Sequence, residues 1–287
     1  MELHAFRHLW GLLGDGGPHQ DLASALAAVK GAPVAYRGVE VALLAVPDRG
    51  ELRELLAGHG LELIPLVLTF GASVEDHLGA YRMQLEWAAE LPHRQITAHA
   101  GRDAFGESDA RAFFTEALRM ERDLGLTVAH ETHRSRPLYA PWTAVRLLEA
   151  FPDLRLCCDF SHWVVVAERL LDDQEDAIRL AASRALHVHA RVGHSQGPQV
   201  PDPDAPEWAT ERAAHEAWWS AVWEARARRG DAAATFTPEY GPPPYLGTAP
   251  FTRAPLADVS EVSDRAAARE LARFAAHPAA KVRAEGA

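Results

Sequence analysis

Residues 126–134 read Leu-Thr-Val-Ala-His-Glu-Thr-His-Arg, an apolar run that stops abruptly at a carboxylate, Glu131, with His130 and His133 on either side. A β-rich segment ending in Glu and His is what a parallel α/β barrel needs where a strand delivers polar side chains to its catalytic rim. Alone it is a weak signal, because a His or Glu at a strand end is more often a solvated loop residue. Alternation sharpens it: if Glu131 faces one side of the strand, His130 faces the other and reads as structural.

Working outward, the same pattern recurs. Residues 3–10 form a first strand, broken by Gly14, Gly16, Gly17 and Pro18, after which Leu22, Ala25, Leu26 and Val29 hold the spacing of one buried helix face. Residues 36–46, 61–70 and 95–99 are the next three strands, although Pro65 lacks the N–H that a ladder uses. Between them lie helices carrying Leu52, Leu55 and Leu56, then Leu78, Tyr81, Leu85 and Ala88 behind a Ser73–Asp76 capping pair. Phe113, Phe114, Ala117 and Leu118 mark another helix, closed by Gly125.

After the opening stretch, Pro141 and Pro152 bracket a helix. Residues 154–159, 185–191 and 234–239 supply three more strands, with helical residues at 164–182, 210–229 and 263–275. Residues 192–209 form a long connection of little periodicity, the kind that often serves as a lid. Eight strand–helix units predict a (β/α)8 TIM barrel, one domain over residues 1–278 with an Ala-rich, frayed tail at 279–287.

The bulk properties agree with a folded enzyme-sized domain. Of 287 residues, 48% are hydrophobic and 24% charged, enough apolar surface for a large core. A formal net charge of -11 repels polyanions and disfavours nucleic acid or anionic membrane as partner, leaving a small molecule. Cys157 and Cys158 are adjacent in an apolar run, so they read as buried thiols in a reducing compartment. The first ten residues lack the apolar core of a signal peptide, and no apolar run is long enough to span a membrane, so a cytoplasmic location is expected. The only lysines are Lys30 and Lys281, neither at a strand end, which removes Schiff-base chemistry.

Four later strands end in groups that can ligate a metal: Glu131, Asp159, His189 and Glu239. Each alone reads better as a strand-end polar residue. Their shared position in successive units favours a metal site, and three carboxylates with one imidazole suit Mn²⁺, Mg²⁺, Co²⁺ or Zn²⁺. His187, His189 and Arg191 share one side of their strand, with His189 the candidate ligand. His162 follows in Asp159-Phe-Ser-His162 as a candidate for a substrate hydroxyl, balanced against a capping or loop histidine. His99, His133 and Arg134 are further pocket candidates, and Trp10 and Trp163 are candidates for an apolar wall. Gly193 and Gly197 make no phosphate-binding fingerprint.

The ordered set Glu131, Asp159 with His162, His189 and Glu239 resembles the xylose-isomerase-like TIM-barrel superfamily across almost the whole chain. That group includes tagatose-type ketose 3-epimerases, hydroxypyruvate isomerases, inosose dehydratases and endonuclease IV. The resemblance implies one divalent metal held by Glu131, Asp159, His189 and Glu239, and proton exchange with the substrate through Glu131 and Glu239. From their positions, His99, His133, His162, Arg191 and Trp10 are the candidates to touch the substrate. The chain departs from the epimerases after the metal histidine, where His194-Ser195-Gln196 stand in place of the usual arginine and Arg191 is the nearest one.

The expected activity is therefore a metal-dependent isomerase or epimerase working through an enediolate on a small keto-sugar or related hydroxy-carbonyl compound. A dehydratase begins with the same proton abstraction. An endonuclease IV-like hydrolase is the competing class, but Leu68-Thr69-Phe70 carries no histidine and no Asp-x-His pair follows the seventh strand. A non-catalytic sugar-binding barrel is the third. The long surface helices permit a homodimer.

Overall fold

Each apolar run of the sequence becomes one stave of a closed parallel barrel. The structure is a computed structural model that describes residues 1–14 and 17–281. The strands are β1 (Glu2–His8), β2 (Gly38–Ala42), β3 (Glu62–Leu68), β4 (Ile96–His99), β5 (Val128–Glu131), β6 (Leu156–Cys158), β7 (Ala185–His189) and β8 (Ala233–Thr237). They pair in sequence order, and β8 returns to β1. The ring outside them consists of α1 (Leu22–Lys30), α2 (Arg49–His59), α3 (Val74–Ala89), α4 (Glu107–Leu124), α5 (Pro141–Ala150), α6 (Phe160–Ala167), α7 (Glu175–Arg184), α8 (Ala209–Arg228) and α9 (Val259–Ala276). The chain is a TIM barrel in a single domain.

Strand β5 shows how the alternation sorts side chains. His130 points outward, where its Nε2 lies 2.9 Å from Glu121 Oε1 on α4, and the Tyr81 hydroxyl on α3 donates to the same oxygen at 2.8 Å. Glu131, one residue on, faces the barrel axis at 1% exposure. The structural reading of His130 is thus the observed one.

Pro65 does lie within a strand. It stands opposite Val41 of β2, while pairing with β4 begins only at Leu66, one residue beyond it. The end of β3 is finished by a side chain: the Gln84 amide on α3 accepts from Leu68 N at 3.1 Å and donates to Leu68 O at 2.6 Å.

Several boundaries differ from the sequence expectation. The second strand stops at Ala42, because Leu43–Ala45 turn into a 3-10 helix. The first strand stops at His8, and Trp10 makes only an isolated bridge to Leu13. Helical material around 164–182 is two helices, since Glu168 adopts a left-handed backbone (φ 53°) that ends α6. That helix also starts earlier, at Phe160, because the Asp159 carboxylate caps its first turn. The capping box at Ser73 and Asp76, the first-turn proline at Pro141 and the left-handed Gly125 are all as expected.

Residues 192–209 are strapped down. Asp202 and Asp204 pair with Arg265 of α9, and Val192 and Val200 are buried. At the C-terminus, Pro278–Lys281 form a 3-10 turn that packs Ala279 onto the core. The rest of the expected frayed tail, 282–287, lies outside the described residues. Among the described residues no helix is long and apolar enough to cross a membrane.

Two substitutions test this packing. A Cβ on Gly38 would meet the Glu62 carbonyl and lie 2.7 Å from the Phe6 ring, so Gly38→Ala should destabilise by about 1–3 kcal/mol. Gly79, exposed on α3 with open space around it, should gain about 0.5–1 kcal/mol as Ala, both read from urea denaturation. A pH effect is expected from Glu270 on α9, whose carboxyl burial pushes up to about 7, with Glu216 adding while Arg273 and Arg269 oppose. The folded state then holds a proton that the unfolded state releases, so stability falls as pH rises from 4.5 through about 7. Glu270→Gln should flatten that limb of the Tm against pH curve; an unchanged slope would remove Glu270 as its source.

Candidate active site

Because all eight strands run parallel, their C-terminal ends share one mouth. Glu131 closes β5, Asp159 follows β6, His189 closes β7, and Glu239 lies just past β8. Each offers one donor atom, and the four atoms lie within 4.8 Å of one another. Local sequence explains the fit. Thr132 clamps two strand ends together, its hydroxyl donating to Asp159 O and accepting from Asp159 N, both at 2.8 Å. Asp159 Oδ1 accepts from Ser161 N at 2.9 Å and from the Ser161 hydroxyl at 2.5 Å. The helical i, i+3 step then returns His162 to within 3.7 Å of Asp159 Oδ2.

His189 is held from both sides. Its Nε2 lies 3.0 Å from Glu40 Oε1, and the Thr237 hydroxyl donates to Glu40 Oε2 at 2.6 Å. Its Nδ1 faces Glu131 Oε1 at 3.0 Å and Glu239 Oε2 at 3.1 Å. An imidazole whose far nitrogen is anchored on a carboxylate, leaving the near one aimed at a cluster of acids, has the arrangement of a metal-ligating histidine.

Burial and mutual repulsion split the acids. Burial pushes the Glu131 carboxyl up to about 8 against the pull of His189, with Glu239 and Asp159 adding to the rise. Burial raises Asp159 as well, opposed by Arg191. Burial acts on Glu239 in the same sense, but His189 and Arg191 outweigh it and hold that carboxyl below its ordinary range. Burial, reinforced by His133, depresses His99 far below the usual imidazole value, so it is neutral beside Glu131.

A divalent cation fits most of this donor set. Glu131 Oε2, against His99, and Glu239 Oε2, against His189 and Arg191, are fully buried without a well-formed hydrogen bond, and the Nδ1 lone pair of a neutral His189 would point at the same centre. Asp159 differs: its Oδ1 serves Ser161, and its Oδ2 already accepts from Arg191 Nη2 at 2.5 Å.

Beside this cluster opens a cavity of about 300 Å³. His99, His133, Arg191, Trp10 and Glu239 line it, as the sequence placed them near one pocket. His162 does not reach it. That ring is completely buried, 2.8 Å from Arg191 Nη2 and tilted at 47° against His133 with ring centres 3.9 Å apart. Arg191 borders the cavity, but its three nitrogens already serve Asp159, Ser161 and the Glu239 carbonyl. Trp163 is a core residue, its indole N–H donating to Leu138 O. Arg134 lies over the Tyr245 ring.

Residues 192–209, expected as a lid, contribute none of the cavity lining. The cover is Tyr245, in the connection after β8, which meets Trp10 edge-on at 5.0 Å and lies over the Arg191 guanidinium at 5.0 Å. The long connection acts on it indirectly, through Gln199, whose amide bonds both backbone groups of Gly241.

Glu40, His8 and Tyr245 escaped the sequence reading. Glu40 had a signal, a lone acid in the apolar strand Gly-Val-Glu-Val-Ala. His8 ends β1 and lies 3.6 Å from Glu239 Oε1. Tyr245 had no periodic context to mark it.

With this geometry in hand, the family is clear. The chain belongs to the xylose isomerase-like TIM barrel family, whose model matches residues 27–207, more than half its length. No curated protein sequence matches it. Among solved structures it is similar to D-allulose 3-epimerase from Methylomonas sp. in complex with D-allulose, at 15% identity over 96% of this chain and 97% of the other, with a TM-score of 0.58. It is also similar to the probable 3-DHS dehydratase of Bacillus anthracis, at 12% identity, 93% and 98% coverage and TM-score 0.60. A xylose isomerase-like TIM barrel protein from Mycobacterium smegmatis in complex with magnesium aligns at 11% identity, 94% and 97% coverage and TM-score 0.59. At such identities the likeness is one of fold. The family is largely enzymatic.

The Glu40 anchor yields a prediction. Glu40→Ala strips His189 Nε2 and the Thr237 hydroxyl of their buried partner and should cost about 3 kcal/mol in urea denaturation, whereas Glu40→Gln, which keeps an acceptor, should lose less than half of that.

Proposed function

We propose that the chain is a divalent-metal-dependent isomerase or epimerase that moves a proton next to the carbonyl of a small hydroxy-carbonyl compound. The observation that carries this reading is the convergence of two buried glutamates, Glu131 and Glu239, on the same nitrogen of His189 at 3.0 and 3.1 Å. Glu131, His189 and Glu239 would hold the cation, joined by Asp159 through an oxygen it also shares with Arg191 or Ser161, and the cation when bound supplies positive charge to polarise the carbonyl. A structural neighbour in complex with magnesium and another in complex with D-allulose are consistent with this reading on a shared fold.

The remaining work falls to the chain's own residues. Glu131 and Glu239 reach the centre from opposite sides of β7, so one removes the proton beside the carbonyl and the other returns it across the enediolate plane. Glu40 keeps His189 turned so that Nδ1 faces the acids. Arg191 neutralises Asp159, limiting the repulsion among three buried carboxylates. Neutral His99 and His133 border the reacting end, where they can hold a substrate hydroxyl. Trp10 and Tyr245 close over the cavity and exclude water.

Deuterium incorporation from D₂O into C–H positions of hydroxy-ketones, followed by NMR with Mn²⁺ present, tests the scheme. Glu131→Gln and Glu239→Gln should each slow exchange by roughly 100-fold or more. Undiminished exchange in Glu239→Gln would falsify its role, and metal binding far from one ion per chain would remove the proposed ligand set.

A further inference from the structure

The cavity has two unlike walls. The ends of β4 to β8 and the residues just after them supply its polar side, with His99, His133, Arg191 and Glu239. The ends of β1 to β3 supply the other, where Leu9, Leu13, Ala42, Leu66 and Leu68 present aliphatic carbon; the one polar side chain there, His8 at the end of β1, lies toward the acids, 3.6 Å from Glu239 Oε1. Several of this wall's backbone groups are already taken. Leu9 N is given to Glu40 O, both backbone groups of Leu68 are taken by the Gln84 amide, and Leu13 N is bonded to Leu9 O. Ala42 and Leu66 stand opposite one another in the β2–β3 ladder. Above, Trp10 and Tyr245 meet edge-on and narrow the opening.

A polyhydroxylated chain lying along this wall would surrender water without gaining partners, and each such hydroxyl weakens binding by roughly ten-fold. A methylene in the same place strengthens it by roughly four-fold. We infer that the substrate is a hydroxy-carbonyl compound bearing an apolar alkyl or aromatic group, with its reacting end toward Glu131 and Glu239 and its apolar group against Ala42, Leu66 and Leu68. The assignment of the reacting end rests on the proton-transfer reading above; the apolar end rests on the wall alone.

Four probes share the HOCH₂–C(=O)– head and differ in the tail: 1-hydroxy-2-hexanone and 2-hydroxyacetophenone are apolar, L-erythrulose and D-fructose hydroxylated. Calorimetric titration of the full chain in Mn²⁺ should show the apolar pair binding at least ten-fold more tightly than the hydroxylated pair. Leu66→Asn and Leu68→Asn, each close to leucine in shape, should each shrink that ratio by three-fold or more. Tighter binding of the hydroxylated pair, a ratio unmoved by both variants, or no binding of either apolar ketone at millimolar concentration overturns the inference. Deuterium exchange is read on the same compounds. Tight apolar binding without exchange defeats the proton-transfer reading and leaves the apolar wall standing, whereas exchange confined to the hydroxylated ketones does the reverse.

Discussion

The imidazole of His189 lies between Glu40 on one side and Glu131 with Glu239 on the other, and the mouth of the barrel is arranged around that contact. Unit charges about 4 Å apart repel by about 4 kcal/mol at an effective dielectric of about 20, so three buried acids cannot stand together without compensating charge. Arg191 supplies some of it at Asp159, His189 supplies some when protonated, and the rest is what a divalent cation would bring. Clustered acids that are uncomfortable without a cation are a suitable place to bind one.

Around this centre the barrel divides its labour by strand. The later strands end in acids and histidines, and the earlier ones end in leucine, valine and alanine, apart from His8 and the anchoring Glu40. The two walls therefore ask different things of a ligand. A reacting head can be polarised and deprotonated on one side, while the other rewards apolar surface and penalises unpaired hydroxyls. The fold alone imposes neither preference, which is why structural neighbours at 11–15% identity can share the barrel and differ in chemistry.

Much of the barrel was legible because its cues are local. Apolar runs mark the strands, and Ser73, Pro141 and Gly125 punctuate the helices through short-range hydrogen bonds and backbone preferences that need no tertiary partner. Where neighbours intervene, the reading slipped. The strand after Tyr36 is cut short by a 3-10 turn, whereas the third strand forms as expected, Pro65 being tolerated because pairing with β4 starts beyond it. Residues 192–209 looked like a lid for lack of periodicity, yet ion pairs to α9 and the Gln199 clasp on Gly241 make them a brace.

The sequence by itself determined the order of the staves and which strand ends carry Glu131, Asp159, His189 and Glu239, because strand period and helix punctuation are written in neighbouring residues. Only the tertiary structure decided what those groups meet. Closing β8 onto β1 brings the β2 residue Glu40 to His189 on β7, folds Tyr245 over Arg191, and sets an aliphatic wall opposite the acids. Those partners are far apart in the chain, and no local pattern records a contact made only when the ring is shut.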